Sequence, residues 1–194
     1  MTDYETFREK LLSQRYRACE IPSRDEPGVY ALFLTSQTAL PGLAVESDVL
    51  YIGMTESSLK VRNHFNHSQS GFSSPRRTLG ALLKEQLNLT ALPRSPGPSA
   101  SNVKNYRFSD EGEKRLTRWM DSYLTYGLCP VNADVRGIEG RLIRELRPPL
   151  NLTKWRNPQA SRLKALRKAS SDEASYSRNR KGASGFPASK QSDD

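Results

Sequence analysis

The sequence predicts a mixed α and β fold in which an antiparallel pair of strands precedes a series of helices. Two short runs, 28–34 and 49–53, are rich in aromatic and branched apolar side chains and are too short for typical helices. The polar stretch between them indicates that the two strands form a long-looped antiparallel hairpin. Most of the later apolar residues recur at helical spacing, which predicts helices around this hairpin.

Length and charge limit the class of protein. The chain has 194 residues, which favours one domain with attached tails, and an apolar fraction of 36% indicates that part of it stays in water. A net charge of +9 favours a polyanionic partner such as nucleic acid. No run approaches the ~18 apolar residues of a membrane helix, and residues 1–5 lack a signal-peptide pattern, so we expect a cytoplasmic protein. The two cysteines cannot build a disulfide framework.

The elements are predicted in chain order from the spacing of apolar residues and from the residues that end each segment. Helical spacing predicts helices at 4–16, 59–65, 75–87, 110–126 and 138–146. Pro148 and Pro149 end the last of these, because proline lacks a backbone N–H and disfavours helix just before it. Residues 103–108 form a weaker strand candidate, and 128–132 is a short connecting run.

The chain divides into three parts on composition. Residues 1–27 are predicted to hold a packing helix and a linker, and residues 28–155 the main domain. Within that domain, 88–104 is rich in proline and serine, which predicts an insertion or mobile loop. Residues 156–194 form a basic, polar tail that is predicted to be disordered, although 160–168 could form a basic helix on contact with a partner.

Five features in chain order resemble the GIY-YIG endonuclease domain family. They are the triplet Gly28-Val29-Tyr30, the triplet Tyr51-Ile52-Gly53, Arg62 in the following helix, Glu139 near a helix start, and Asn151 after the proline stop. The resemblance spans residues 28 to 151, with Val29 in place of isoleucine. It implies an α+β domain with a small central antiparallel sheet of about three strands flanked by helices. The predicted helices at 4–16 and 110–126 extend that fold.

The two tyrosines are the first candidate catalytic residues. The resemblance implies that Tyr30 activates the attacking water, while Tyr51 orients that water or bonds the phosphate. Side chains alternate faces along a strand, so both phenols can converge on one phosphate if they point to the same face. A phenol with a pKa near ~10 is a poor base at neutral pH unless a metal or cation lowers that value. The alternative is that both tyrosines are half-buried strand residues with their hydroxyls in water.

Arg62 is the candidate for stabilising charge on the phosphate, because its guanidinium offers a fixed fork of donors. Lys60 competes for this role, since the register of the helix against the family pattern is uncertain by two residues. Gly28 and Gly53 are assigned to supporting the site. At Gly53 the missing Cβ would let a phosphate or a helix backbone approach, or the glycine would simply end the strand.

Glu139 is the candidate metal ligand. Mg²⁺ keeps several waters and often takes only one or two protein carboxylates, so a single glutamate suffices for Mg²⁺ or Mn²⁺. The ion would neutralise the leaving oxygen of the phosphodiester. The alternatives are that Glu139 is an ordinary carboxylate near a helix N-terminus, or that Glu145 is the ligand. Asn151 is expected to tether the backbone of the site or Glu139, or to be a turn residue.

Further candidates supply proton transfer and positive charge. His64 and His67 lie three residues apart on the predicted helix, and the resemblance favours His64 as a general base or phosphate contact. Basic residues near the core are predicted to bind nucleic acid in a salt-dependent manner. Those assigned to this surface are Lys60, Arg76, Arg77 and Arg141.

Together these residues predict a metal-dependent endonuclease that hydrolyses phosphodiester bonds in nucleic acid, with DNA as the favoured substrate. The alternative is a catalytically inactive nucleic-acid-binding module with the same fold. A third reading is a helical interaction protein in which the tyrosine strands belong only to the core. No membrane partner is expected, and the sequence does not indicate an oligomeric state.

Overall fold

The computed structural model of the chain describes residues 3–40, 42–62 and 69–183. The described helices are α1 (Asp3–Ser13), α2 (Ser74–Leu82), α3 (Ala100–Lys104), α4 (Asp110–Tyr123), α5 (Val135–Leu146) and α6 (Ala160–Ala183). The described strands are β1 (Gly28–Leu34), β2 (Val49–Thr55), β3 (Ala91–Leu92), β4 (Arg107–Phe108) and β5 (Leu124–Pro130). Among the described residues, none of the helices has the length and apolar character needed to cross a membrane.

A three-stranded antiparallel sheet forms the centre of the molecule, as the sequence predicts. Its strand order is β2-β1-β5, so β1 lies in the middle and all seven of its residues are buried. The third strand comes from a segment that the sequence analysis placed partly in a helix. That helix ends at Tyr123, because residues 124–130 pair antiparallel with β1, from Leu34 back to Gly28. Backbone pairing with a buried strand outweighs the helical spacing of this segment.

The two faces of the sheet carry different helices. Side-chain alternation along β1 directs Tyr30, Leu32 and Leu34 to one face, where they join a core that includes residues of α2, α4 and α6. The opposite face is packed by α1 and α5. Because α5 also contacts the edge strand β2, it lies where the two faces meet at that edge.

The basic tail corrects the sequence analysis over part of its length. The prediction of disorder does not hold for Ala160–Ala183, which form α6 and pack against α2, α3 and β3. Leu163, Ser170 and Ala174 are fully buried in this contact. These three residues are few and two of them are small, so the sequence of α6 has no clear apolar face that would predict a packed helix. Residues 184–194 lie outside the described part of the chain.

Three other segments also differ from their predictions. Within 88–104, Ala91–Leu92 pairs with Arg107–Phe108, and α3 follows, so this segment holds ordered elements around its prolines. The predicted helix at 75–87 ends at Leu82 and continues as turns. In the predicted helix at 59–65, residues 59–62 form a turn and 63–65 lie outside the described residues.

Candidate active site

The strand register brings the two candidate tyrosines onto one face of the sheet. Tyr30 lies opposite Gly53 and Leu32 lies opposite Tyr51, so the tyrosines are diagonal neighbours. Their ring centroids are 6.2 Å apart, and the two side chains share a hydrogen bond. Tyr126 of β5 stacks on Tyr30 at 5.6 Å with an interplanar angle of 13°. Tyr30 is therefore held between its two neighbouring strands.

The two phenols differ in their access to solvent. Tyr30 is only 1% exposed, whereas Tyr51 is half-buried at the edge strand. Burial raises the pKa of Tyr30 well above its ordinary value, and it also raises the pKa of Tyr51. The expectation that Tyr30 itself activates water conflicts with this burial, because a buried phenol with a raised pKa is a poor base. Tyr51 is the more exposed of the two tyrosines.

Gly53 has a specific steric reason to lack a side chain. A Cβ at this position would lie 2.4 Å from the Tyr30 hydroxyl oxygen and 2.5 Å from the adjacent ring carbon. The glycine therefore makes room for the Tyr30 ring. Gly28 is similarly confined, since a Cβ there would lie 2.5 Å from the carbonyl oxygen of Cys129.

Charges of both signs act on Tyr51. The carboxylate of Glu139 raises the pKa of Tyr51, while the guanidinium groups of Arg62 and Arg167 lower it. Arg62 also lowers the pKa values of Tyr30 and Tyr126, so its charge lies close to this tyrosine face. The phenols, Arg62 and Glu139 are thus gathered at one place, although 109 positions separate the first from the last along the sequence.

Glu139 lies on α5 beside the β2 edge, with 10% of its side chain exposed. The ammonium of Lys154 donates a hydrogen bond to one of its carboxylate oxygens. Lys154 follows the proline stop of α5 and is 43% exposed, so it is the outer member of the pair. The rival carboxylate Glu145 instead accepts hydrogen bonds from Tyr4 and Arg8 of α1. It therefore serves helix packing on the other face of the sheet.

Asn151 binds the backbone of the edge strand. Its Oδ1 accepts a hydrogen bond from the Ile52 N–H at 2.9 Å, and its Nδ2 donates to the Ile52 carbonyl at 2.8 Å. The Leu150 N–H also donates to the carbonyl of Leu50 at 3.0 Å. These bonds satisfy the edge of β2 on both sides of Tyr51 and fix the strand that carries it. The expectation that Asn151 tethers the site backbone matches this geometry.

The predicted nucleic-acid contacts require two corrections. Arg76 is fully buried, where it pairs with Glu113 at 2.9 Å and donates to Thr117. Arg77 is 8% exposed, donates to the carbonyls of residues 70 and 71, and has its pKa lowered to about 10 by burial. Neither guanidinium faces solvent, so neither can form the predicted surface. The sequence shows that both arginines lie on a helix, but it does not show that Glu113 of α4 draws Arg76 into the core as an ion pair.

The other two predicted contacts remain exposed. Lys60 is exposed and lies in the same turn as Arg62, two residues before it. Arg141 is exposed, but its guanidinium lies 3.5 Å from the centroid of the Tyr4 ring. Two positions along a helix correspond to a rotation of about 200°, so Arg141 points away from the side that carries Glu139. His64 and His67 lie outside the described residues.

Two residues at the site were not selected from the sequence. Lys154 was one of many basic residues, and no local pattern linked it to Glu139. Arg167 was assigned to a disordered tail, whereas α6 brings it near Tyr51 and its guanidinium donates to the Ser74 hydroxyl at 3.2 Å. Only the packing of α6 could reveal this position.

The donor set at Glu139 fits a divalent ion that uses few protein ligands. Mg²⁺ prefers oxygen ligands and commonly keeps several waters beside one or two carboxylates. Among the described residues there is no group of three or more His, Cys, Asp or Glu side chains that could hold a metal. The Glu139 carboxylate offers oxygen atoms for such an ion, and the ammonium of Lys154 competes for them.

The raised tyrosine pKa values predict a loss of stability in alkali. Because the pKa of Tyr30 is higher in the folded than in the unfolded state, the unfolded chain loses this proton first as the pH rises. The stabilising contribution is complete below about pH 10 and falls by up to about 1.4 kcal/mol per pH unit above it. Urea denaturation from about pH 8 to about pH 11 measures this slope. Tyr30→Phe and Tyr126→Phe should each make it shallower, and an unchanged slope in both variants would contradict the raised pKa values.

Comparison with known proteins agrees with this geometry. The family model described as the GIY-YIG catalytic domain matches residues 28–169, well over half of the chain. The match includes both tyrosine strands, Arg62, Glu139 and Asn151, and it extends into α6 past Arg167. No curated protein and no solved structure matches the chain. From the family match, supported by the three-stranded sheet and the gathered site residues, we conclude that the chain belongs to the GIY-YIG catalytic domain family.

Proposed function

We propose that this protein is a divalent-metal-dependent endonuclease that hydrolyses phosphodiester bonds in DNA. The family indicates nuclease activity on nucleic acid. The observation that supports the finer proposal is that the positive charge of Arg62 and the negative charge of Glu139 both act on the half-buried Tyr51. A phosphodiester at this point would meet a hydrogen-bond donor, a guanidinium and a potential metal ligand together.

Each residue has a distinct role in the proposed reaction. Tyr51 contacts the phosphate or the attacking water through its hydroxyl, which its raised pKa keeps protonated at neutral pH. Arg62 donates to the phosphate oxygens, where negative charge increases as the water oxygen attacks phosphorus. Tyr30 is a positioning residue, because its buried hydroxyl bonds to Tyr51 and its ring fills the space over Gly53.

Glu139 is the proposed ligand of the metal. A divalent ion bound there would stabilise the phosphate charge and the departing ester oxygen. Lys154 neutralises Glu139 in the absence of an ion. An ion bound to Glu139 would release the Lys154 ammonium, which could then contact a substrate phosphate. Arg167 adds a second positive charge that acts on Tyr51, and Lys60 is an exposed cation two residues before Arg62.

The direct test is incubation of the purified protein with supercoiled and linear DNA, and separately with RNA. Mg²⁺ or Mn²⁺ is added in one arm and a chelator in the other. We expect cleavage of DNA with the ion and none with the chelator. Cleavage that is confined to RNA would overturn the choice of DNA, and cleavage that persists in the chelator would overturn metal dependence.

Tyr51→Phe is expected to lower the rate of DNA cleavage by about 10²-fold, because it removes one hydrogen bond at the reacting phosphate. The ring stays in place, but the buried Tyr30 hydroxyl loses its bond to Tyr51, so we expect a loss of about 1 to 3 kcal/mol in urea and compare the rates where the variant is folded. The matched control is Tyr123→Phe, which removes the hydroxyl of a 38% exposed tyrosine at the end of α4. Equal cleavage rates in the two variants would exclude a contact between Tyr51 and the reacting groups.

An inactive nucleic-acid-binding module is the second candidate. One observation favours it, namely that the Glu139 carboxylate is already paired with a lysine. This candidate predicts salt-sensitive DNA binding without cleavage at any concentration of Mg²⁺ or Mn²⁺.

A further inference from the structure

A cationic cleft lies close to Glu139, because Lys154 both lines the cleft and bonds to that carboxylate. It has a volume of about 690 Å³ and lies where α5 ends and the chain turns back. Its charged lining consists of Arg144, Arg147, Lys154, Arg156 and Glu46, and Trp155 contributes an aromatic wall. Four cations therefore face one carboxylate in a concave surface, which favours an anionic ligand.

The three arginines of this cleft are available to a ligand. Arg144, Arg147 and Arg156 are all exposed, and within the described residues none of them forms an ion pair. The wall beside them is rigid, because the Trp155 indole donates to the carbonyls of Pro148 and Asn151 at 3.2 and 2.9 Å. The cleft thus presents unpaired guanidinium groups on a fixed backbone.

Two of the cations occupy backbone conformations that do not suit them. Arg147 ends α5 with a φ of 47°, and Lys154 has a φ of 73°. Glycine favours this left-handed region, and a residue with a Cβ is strained there. Side chains with a positive charge therefore stand at two positions of one cleft where the backbone favours glycine.

The cleft is continuous with the proposed active site through Lys154. This residue lines the cleft and also bonds to Glu139, whose charge acts on Tyr51. We propose that the cleft binds backbone phosphates of the nucleic acid on one side of the phosphodiester that is cleaved at Tyr51. This inference rests on the proposed function, because it assumes that a nucleic acid strand crosses the tyrosine face.

A purely structural role for these arginines makes a different prediction. Cations near a helix C-terminus interact favourably with its dipole, and Arg144 and Arg147 lie at the end of α5. If that were their only role, removal of the charge would lower stability and leave binding unchanged. The substitution Arg147→Gly distinguishes phosphate binding from a purely structural role, because it removes the charge and also relieves the backbone strain.

The test measures binding of a short fluorescent DNA duplex, and of RNA with the same sequence, to the full chain in a chelator. For Arg147→Gly we expect an equal or higher urea midpoint, together with a dissociation constant raised about fivefold and a salt slope lowered by about 0.9. Arg156→Ala should weaken binding similarly. The control is Arg118→Ala, which removes the same charge from an exposed position on α4, across the sheet from α5, and should change binding less than about twofold.

The outcomes distinguish the cleft from the proposed function. If the wild-type chain binds nucleic acid and both cleft variants bind equally well, the cleft inference is overturned while the nuclease proposal stands. A lower midpoint with unchanged binding in Arg147→Gly would assign the arginine to helix stability alone. If the wild-type chain binds neither DNA nor RNA at low salt, both proposals fail.

Discussion

Glu139→Gln is expected to lower the rate of DNA cleavage by about 10²- to 10³-fold at saturating Mg²⁺. The substitution keeps the size and shape of the side chain but removes the negative charge that would hold the ion. Lys154 loses its partner, yet its side chain is 43% exposed and can be hydrated, so the fold should persist. A single-turnover cleavage assay measures the rate, and circular dichroism with urea denaturation checks the fold.

Glu145→Gln is the matched control for this variant. Glu145 lies on the same helix, but it is bonded to Tyr4 and Arg8 and not to Lys154. The control should cleave DNA at nearly the wild-type rate and lose at most about 1 kcal/mol of stability. If Glu145→Gln were as inactive as Glu139→Gln, the assignment of the metal ligand would be wrong. A second readout is Mn²⁺ binding without substrate, which Glu139→Gln should weaken and Glu145→Gln should leave unchanged.

Asn151→Ala is expected to destabilise the fold by about 2 to 5 kcal/mol. The change leaves both the N–H and the carbonyl of Ile52 without their side-chain partner at a buried position. The penalty of an unsatisfied buried polar group then applies twice. Urea denaturation at neutral pH measures the loss, and cleavage at a temperature where the variant is still folded reports its effect on Tyr51.

The controls for Asn151 separate the hydrogen bonds from the volume of the side chain. Asn151→Asp keeps the shape and the acceptor for the Ile52 N–H, but it places an oxygen against the Ile52 carbonyl, so it should be nearly as damaging. Asn105→Ala removes an asparagine whose side chain bonds only to Ser101 at the surface, and should cost less than about 1 kcal/mol. A loss below about 1 kcal/mol in Asn151→Ala would show that the edge strand does not depend on this clamp.

Much of the fold can be read from local patterns. The strand runs 28–34 and 49–53 match β1 and β2 because a strand buried on both faces is a continuous apolar run. Helix α5 ends close to Pro148 as predicted, since the stop depends only on the covalent chemistry of proline. Strand β5 was not predicted, and only 160–168 of α6 was considered as a helix, because both elements depend on the partners they pack against.

The candidate site shows the same division. The ordered set of Tyr30, Tyr51, Arg62, Glu139 and Asn151 is visible in the chain, and their chemistry limits what they can do together. The sequence does not predict that Tyr30 is buried while Tyr51 is partly exposed. Both tyrosines have the same strand context, and only the stacking of Tyr126 and the position of β2 at the sheet edge distinguish them.

Residue types and their order were sufficient to indicate the family and the central sheet. The burial of Arg76, the contact of Lys154 with Glu139 and the approach of Arg167 to Tyr51 arise only when distant segments meet. The physical reason is range: strand and helix patterns act over a few residues, whereas burial and charge depend on every group nearby in space. Identical arginine side chains therefore become a core ion pair, a site cation or a surface charge according to the packing around them.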